Sequence, residues 1–281
     1  MSDELQFITA DGAVCTVGIG TYPDSMPLIH QPLGIPYRVL LRPKSLASFM
    51  AAMFWIDALT ERTDNVPHLV LPFVPGARQD RLNDSGDYLF TAKSIARELN
   101  MRGFPSVTVL DPHSEVISAL IDRCRVVHAA DCMQVPEGKY AAVISPDAGA
   151  EKRAGLVAKK LGVPLIHAWK NRDVSTGAIS GFGFDSDALE ACTANTQRVL
   201  VVDDICDGGG TFVGLAQAVI AQAFLIPIDL HLWTTHGIYS KGVDVLRPHF
   251  SHIYCTDSII ADRPGLTAEA LVCKKLLEGS L

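Results

Sequence analysis

Short runs of mostly apolar residues recur along the chain at His68–Val74, Ser106–Leu110, Tyr140–Ile144, Val163–Trp169, Arg198–Val202 and Ile228–Trp233. Each is too short for a helix and ends in a loop that contains Asp, Gly or Pro, which reads as a buried strand ending in a loop. Segments with helical periodicity follow these loops. Leu46–Thr60 and Phe90–Met101 are amphipathic, Ala150–Leu161 carries paired Lys on its outer face, and Thr211–Gln222 is nearly all apolar. Thr267–Leu277 is predicted as a last helix, opened by a Thr cap with Glu269 close behind it. Near-continuous apolar strands alternating with helices predict an α/β fold of parallel sheets covered on both faces. The first 40 residues hold short β-prone pieces among Gly and Pro and predict no definite arrangement.

In sheets of this kind, ligands lie beyond the carboxyl ends of the strands. The loops there read PGARQDR, DPH, SPDAGAEKR, KNRD, DDICDGGGT and THG, and most are polar and contain glycine. Cys124–Lys139 has a weaker pattern and the PEG turn signal, and it is the expected boundary between two halves, residues 1–130 and 131–281.

Composition narrows the picture. The 281 residues are 48% hydrophobic and 20% charged, a balance that supports a substantial core. No apolar run approaches the roughly 18 residues needed to cross a bilayer. The opening MSDELQF does not resemble a signal peptide. Seven cysteines are scattered without a CxxC pair, which argues for a reducing compartment and against a disulfide framework or structural zinc. A cytoplasmic protein with no membrane partner is expected. With 24 Lys and Arg against 31 Asp and Glu, the net charge of −7 argues against a nucleic-acid partner. An anionic ligand therefore needs local arginines and a divalent metal to offset the global field.

The strongest chemical signal is Val201–Thr211, VVDDICDGGGT. A buried strand carries Asp203 and Asp204 to its tip, and Gly208, Gly209 and Gly210 then let the backbone turn tightly before Thr211 opens a helix. Unpaired amides at a helix N-terminus bind a phosphate. Carboxylates beside them suit sugar hydroxyls or a hydrated Mg²⁺. A sugar phosphate with vicinal hydroxyls meets both demands. No GxxxxGK[ST] spacing is present, so the loop is not of the Walker A type.

This segment is similar to the PRPP-binding signature of type I phosphoribosyltransferases and of ribose-phosphate pyrophosphokinases (PRPP synthetases). Other loops resemble the pyrophosphokinase family in order: LPFVPGARQDR at Leu71–Arg81, FTAKSIARELN at Phe90–Asn100, VLDPH at Val109–His113, VISPDAG at Val143–Gly149 and WKNRD at Trp169–Asp173. The resemblance implies two type I phosphoribosyltransferase-like domains, each a largely parallel sheet flanked by helices, with the active site between them. The last helix is open to packing back on the N-terminal domain. It also implies a homo-oligomer, dimer or hexamer, in which a neighbouring subunit completes the nucleotide pocket.

The implied reaction is attack by the anomeric hydroxyl of a ribose 5-phosphate on the β-phosphorus of ATP, with AMP departing. Such transfer needs mainly positioning and charge neutralisation. By the same resemblance, Arg78 and Gln79 hold the adenine and triphosphate side, and Asp80 and Arg81 brace that loop. Tyr22 and Asp24 are the nearest counterparts of the family's further nucleotide loop. His113 and Asp147 anchor a Mg²⁺ bridging the ATP phosphates. Asp203 and Asp204 hold the ribose hydroxyls, with a second Mg²⁺ as an option, and Asp207 to Thr211 cradle the 5-phosphate. Lys170, Arg172 and His113 are the catalytic candidates. His231 and His236 flank an apolar strand end and read as structural.

Four departures bear on the acceptor and regulation. Gly208 stands where the family usually has Thr, Ala148 where His usually follows SPD, Met26 where it has Glu, and Leu82 where it commonly has Lys. A roomier phosphate pocket suggests ADP-ribose as an alternative acceptor, giving ADP-ribose pyrophosphate for NAD metabolism. Two further alternatives are a phosphoribosyltransferase that consumes PRPP and a non-catalytic regulatory homologue.

Overall fold

The computed structural model describes residues 5–30, 34–82, 86, 89–133, 139–172, 179–193, 196–222, 227–259, 267–269 and 272–281. Two compact units divide the chain. The first comprises residues 1–128, 257–260 and 270–281, and the second comprises residues 129–256 and 261–269.

Unit one begins with β1 (Leu5–Thr9), β2 (Val14–Thr16), β3 (Ile19–Thr21), β4 (Pro27–Ile29) and β5 (Pro36–Leu41), followed by α1 (Leu46–Thr63). After these come β6 (His68–Val70), α2 (Thr91–Asn100), β7 (Val107–Leu110), α3 (Glu115–Leu120) and β8 (Cys124–Val127). Its six-stranded sheet runs β2-β1-β5-β6-β7-β8. β5 to β8 are parallel, while β1 pairs antiparallel with both β2 and β5. The undefined N-terminal stretch therefore supplies an antiparallel edge and, in β3 and β4, a separate two-stranded hairpin. Leu69, Val107 and Val109 pack with Phe49, Met53 and Ile56 of α1 and with Ile95 and Leu99 of α2 in one core.

Unit two holds α4 (Ala129–Cys132), β9 (Ala142–Ser145), α5 (Glu151–Leu161), β10 (Leu165–Arg172), β11 (Ile179–Phe184) and α6 (Ser186–Thr193). It continues with β12 (Arg198–Cys206), α7 (Gly210–Ala221), β13 (Asp229–Gly237), β14 (His252–Thr256) and β15 (Thr267–Glu269). The seven strands lie in the order β11-β10-β9-β12-β13-β14-β15, parallel except for β10 with β11. The chain thus leaves β9 toward one side of the sheet and β12 toward the other. At such a reversal the crossover segments diverge and open a crevice at the strands' carboxyl ends.

Two predicted elements differ. β12 carries Asp203 and Asp204 as expected but continues beyond them to Cys206, because Ile205 and Cys206 stay paired with His236 and Gly237 of β13. The helix expected over Thr267–Leu277 is a short strand, Thr267–Glu269 pairing with Tyr254–Thr256, and then α8 (Val272–Glu278). Val272, Cys273, Leu276 and Leu277 of α8 are buried in unit one, and Arg38 Nη1 donates to the Leu277 carbonyl at 2.9 Å. The paired lysines of α5 are both exposed, and Lys160 also donates through Nζ to the Met133 carbonyl at 3.0 Å, which ties α5 to the end of α4. The PEG turn lies outside the described residues. Among those residues no helix is long and apolar enough to cross a membrane, and no disulfide joins the cysteines.

Phe212, Leu215, Ala216 and Val219 of α7 are buried in the same core as Val199 and Val201 of β12, and the helix lies against β11. That packing holds its N-terminus against the end of β12. Leu215→Ala is expected to cost about 2–5 kcal/mol, as for other buried Leu truncations. Urea denaturation followed by circular dichroism measures it, and a loss below about 1 kcal/mol would contradict this packing.

Candidate functional site

The acidic end of β12 organises the second unit's site. Asp203 and Asp204 are consecutive and largely buried, which costs free energy unless a counter-charge is present. Arg153, on the first turn of α5, supplies it: Nε lies 3.6 Å from Asp203 Oδ1 and Nη2 lies 3.7 Å from Asp204 Oδ2. The arginine's side chain is only 10% exposed. Arg153 was not among the residues singled out from sequence. Its signal was a basic residue six positions after Asp147, on the turn that follows the SPD loop.

The loop after β9 lies on the other side of the same reversal. Asp147 Oδ1 accepts the Gly149 and Ala150 amides at 3.0 and 3.3 Å, which fixes its rotamer. Its Oδ2 takes Lys170 Nζ at 2.7 Å. Lys170 comes from β10, so the ion pair joins adjacent strand ends, and the structure brings these two predicted residues together. Arg172 ends β10, and Asp173 lies outside the described residues.

After Cys206 the chain turns through Asp207, Gly208 and Gly209 into α7. Gly209 has φ +80°, a conformation that strains any residue with a Cβ, and it takes the N-cap position without a side chain to cap the helix. The first amides of α7 have no intrahelical acceptor, so the end of this 12-residue helix is built to receive an anion. The turn after β13 is fastened to this loop by backbone. Ile238 and Tyr239 N–H donate to the Cys206 carbonyl at 2.8 and 3.0 Å, and Ser240 N–H donates to the Asp207 carbonyl at 3.2 Å. The room expected beside Gly208 is partly occupied, because a Cβ there would lie 3.4 Å from Cδ and Cε of Lys241. Beneath the loop, burial followed by the charges of Asp203 and Asp207 pushes the Cys206 thiol up to about 12, so it stays protonated.

The nucleotide-side candidates lie on unit one. Arg78 and Gln79 are exposed on the turn after β6. That turn is fixed to the start of α2 by the Ala92 amide, which donates to the Gln79 carbonyl at 3.2 Å, and by a hydrogen bond from Thr91 to the Gln79 side chain. Asp80 is 3% exposed and faces inward, where it accepts Arg81 Nε at 2.9 Å. Burial pushes its carboxyl up, but the Arg81 hydrogen bond and the neighbouring Ser114 and His113 outweigh burial and hold it below the usual range. Asp80 and Arg81 therefore brace the loop, next to His113 after β7. Asp111 opens that second loop at φ +37°, an uncommon conformation outside glycine. Tyr22 and Asp24 sit apart at the tip of the β3–β4 hairpin. There the Tyr22 amide donates to the Met26 carbonyl at 2.8 Å, and Asp24 Oδ1 accepts the Met26 amide at 3.1 Å. Among the described residues, the hydrogen bonds of Tyr22 and Asp24 stay within the hairpin. His231 is a buried structural residue, bonded to the Tyr140 hydroxyl at 2.9 Å and to Asp229 at 3.2 Å.

Among the described residues no three His, Cys, Asp or Glu side chains gather to hold a metal unaided. Mg²⁺ does not require that, since it keeps several waters and is bound by one or two carboxylates together with substrate phosphates. The oxygens of Asp147, Asp203 and Asp204 are donors of this kind.

No protein-family model matches the chain. It is similar to the ribose-phosphate pyrophosphokinase of Granulibacter bethesdensis, with 27% identity over 222 residues, 76% of this chain and 68% of that protein. Similarity to those of Bradyrhizobium diazoefficiens and Thermosipho africanus is 30% over 227 residues, covering 75% of this chain and 66% of each relative. The matched part spans about two thirds of these relatives. Among solved structures, a phosphoribosylpyrophosphate synthetase from Mycobacterium smegmatis superposes with a TM-score of 0.77 at 23% identity, over 96% of this chain and 90% of that one. This likeness confirms the two-domain α/β fold.

Burial and then the charge of Asp204 push the Asp203 carboxyl well above its usual range, against the opposing pull of Arg153. A carboxyl with a raised folded pKa favours the folded state while protonated. The ligand-free protein therefore loses stability as pH rises from about 4 through that folded value. Asp203→Asn removes this loss. It is expected to raise Tm near pH 7.5 by roughly 2–4 °C, the shift that about 1 kcal/mol produces in a chain of this size, with little change near pH 4. A variant that melts no higher near neutral pH would count against a strained acid pair.

Proposed function

The chain belongs to the ribose-phosphate pyrophosphokinase family, and we propose that it transfers the β,γ-diphosphate of ATP to the anomeric hydroxyl of a ribose carrying a 5-phosphoryl group, releasing AMP. The observation that carries this reading is the meeting, at the reversal of the second sheet, of an uncapped glycine turn with the Asp203–Asp204–Arg153 and Asp147–Lys170 clusters. An anion subsite next to twin carboxylates selects a phosphorylated sugar with free hydroxyls. A paired lysine one strand away suits charge developing on a transferring phosphoryl group.

In this reading the amides of Gly208 to Thr211 bind the 5-phosphoryl group and α7 adds its favourable dipole end. Asp203 and Asp204 accept hydrogen bonds from the ribose hydroxyls and so hold the sugar in one orientation. Arg153 lies against both carboxylates and keeps them aimed. Lys170, with Arg172 beyond it on β10, neutralises charge on the moving diphosphate, and Asp147 positions the lysine. Arg78 and Gln79 bind the ATP side on a turn braced by Asp80 and Arg81, with His113 beside it. Tyr22 and Asp24 complete the nucleotide assignment. Mg²⁺ would be held on unit two by carboxylates among Asp147, Asp203 and Asp204, where it would neutralise phosphate charge and polarise the reacting phosphoryl oxygens, and His113 is the metal-ligand candidate of unit one.

ADP-ribose is the second acceptor to be tested. Two observations favour including it: Gly208 places no side chain beside the cup, and the exposed Lys241 offers a flexible cation to a second phosphate. Incubation with ATP, Mg²⁺ and each acceptor separately, following AMP release, tests the reading. AMP is expected only when ATP and an acceptor are both present, and the faster acceptor at equal concentration is the substrate class. Lys170→Ala is expected to lower kcat by about 10²–10³-fold with a smaller change in KM, as for loss of a preorganised charge. AMP release independent of acceptor, or unaffected by Lys170→Ala, would overturn the reading.

A further inference from the structure

The turn after β13 has no role in the assignments above, yet it is built onto the glycine loop. Three backbone hydrogen bonds, from Ile238, Tyr239 and Ser240, fasten it to Cys206 and Asp207. Tyr239 takes φ +49°, and its hydroxyl bonds Thr234 Oγ1 at 3.0 Å in the buried interior. The turn is therefore held in place on both sides, and Lys241 follows at once. The lysine's stem lies against Gly208, with Cδ and Cε 3.4 Å and Cγ 3.7 Å from where a Cβ would stand. Its residue is exposed, so the ammonium stays in solvent at the rim of the cup. Gly208, unlike Gly209, has no positive φ, so glycine is not needed there for the backbone. A bare Cβ there would just touch the lysine stem, and a branched side chain such as threonine would press on it. Asp203, Asp204 and Asp207 all crowd this end of β12, so a cation beside the amides offsets a field that would otherwise repel an anion.

On the reading proposed above, we infer that Lys241 contacts the acceptor's 5-phosphoryl group from the open side of the cup and is a specificity-determining residue for that group. Gly208 and Lys241 then act as a pair, the glycine making the space and the lysine bringing the charge into it. A long flexible side chain reaches a terminal phosphate or the second phosphate of a diphosphate linkage, whereas a hydroxyl at position 208 would serve only the nearer one.

Calorimetric titration without ATP tests this, using ribose 5-phosphate and ADP-ribose as separate probes of the unsubstituted protein, Lys241→Met, Lys241→Arg and Gly208→Thr. Lys241→Met keeps the stem but not the charge, and should weaken the better-bound acceptor about tenfold, the loss expected for one charge-assisted contact. Its binding should also depend less steeply on salt. Lys241→Arg should retain affinity within about threefold. Gly208→Thr displaces the stem, and combining it with Lys241→Met should cost less than the sum of the two, as for residues acting together. ATP affinity should be unchanged throughout. Equal acceptor affinity of Lys241→Met and the unsubstituted protein, or additive losses in the double variant, overturns the inference alone. Absence of saturable binding of either acceptor to the unsubstituted protein overturns the proposed function and this inference with it.

Discussion

Two carboxylates side by side at the buried end of a strand are tolerable only with a cation between the sheet and the solvent. Arg153 meets that constraint. Because the arginine comes from α5 and the acids from β12, the same contact fixes the distance between the two loops that diverge at the reversal of the second sheet. The electrostatic requirement thus also sets the geometry. Residual repulsion within the acid pair is left for a ligand's hydroxyls to relieve.

The other parts of the site follow the same logic of local fixation. Asp147 gives one oxygen to two amides and keeps the other for Lys170, so the lysine is aimed before any ligand arrives. Asp80 is buried so that Arg81 can brace an otherwise exposed turn. In each case one charged group orients another. Preorganisation of this kind removes reorganisation cost from the reacting step.

The buried strands and most helices were legible because parallel strands covered on both faces leave near-continuous apolar runs. The two acids at the tip of β12 were legible too, but the continuation of that strand to Cys206 was not, since its cause is pairing with β13. Arg153 looked like one more charge on a solvated helix, because its acidic partners lie fifty positions later in the sequence. The strand at Thr267–Glu269 carries a capping pattern suited to a helix, and its pairing with β14 overrides that local preference. The Asp147–Lys170 pair was anticipated as two residues from separate motifs, and only the sheet order makes them neighbours. Tyr22 and Asp24, chosen by position, occupy a hairpin tip whose hydrogen bonds stay within the hairpin.

The three hydrogen bonds that fasten the turn after β13 to the glycine loop run between main-chain groups. The identities of Ser240 and Lys241 are therefore not needed to maintain them. Mutational drift at these two positions is cheap for folding, yet each change is presented directly at the rim of the cup. Such a design separates evolvability from stability: substrate preference can wander across descendants while the glycines, the acids and the sheet stay as they are.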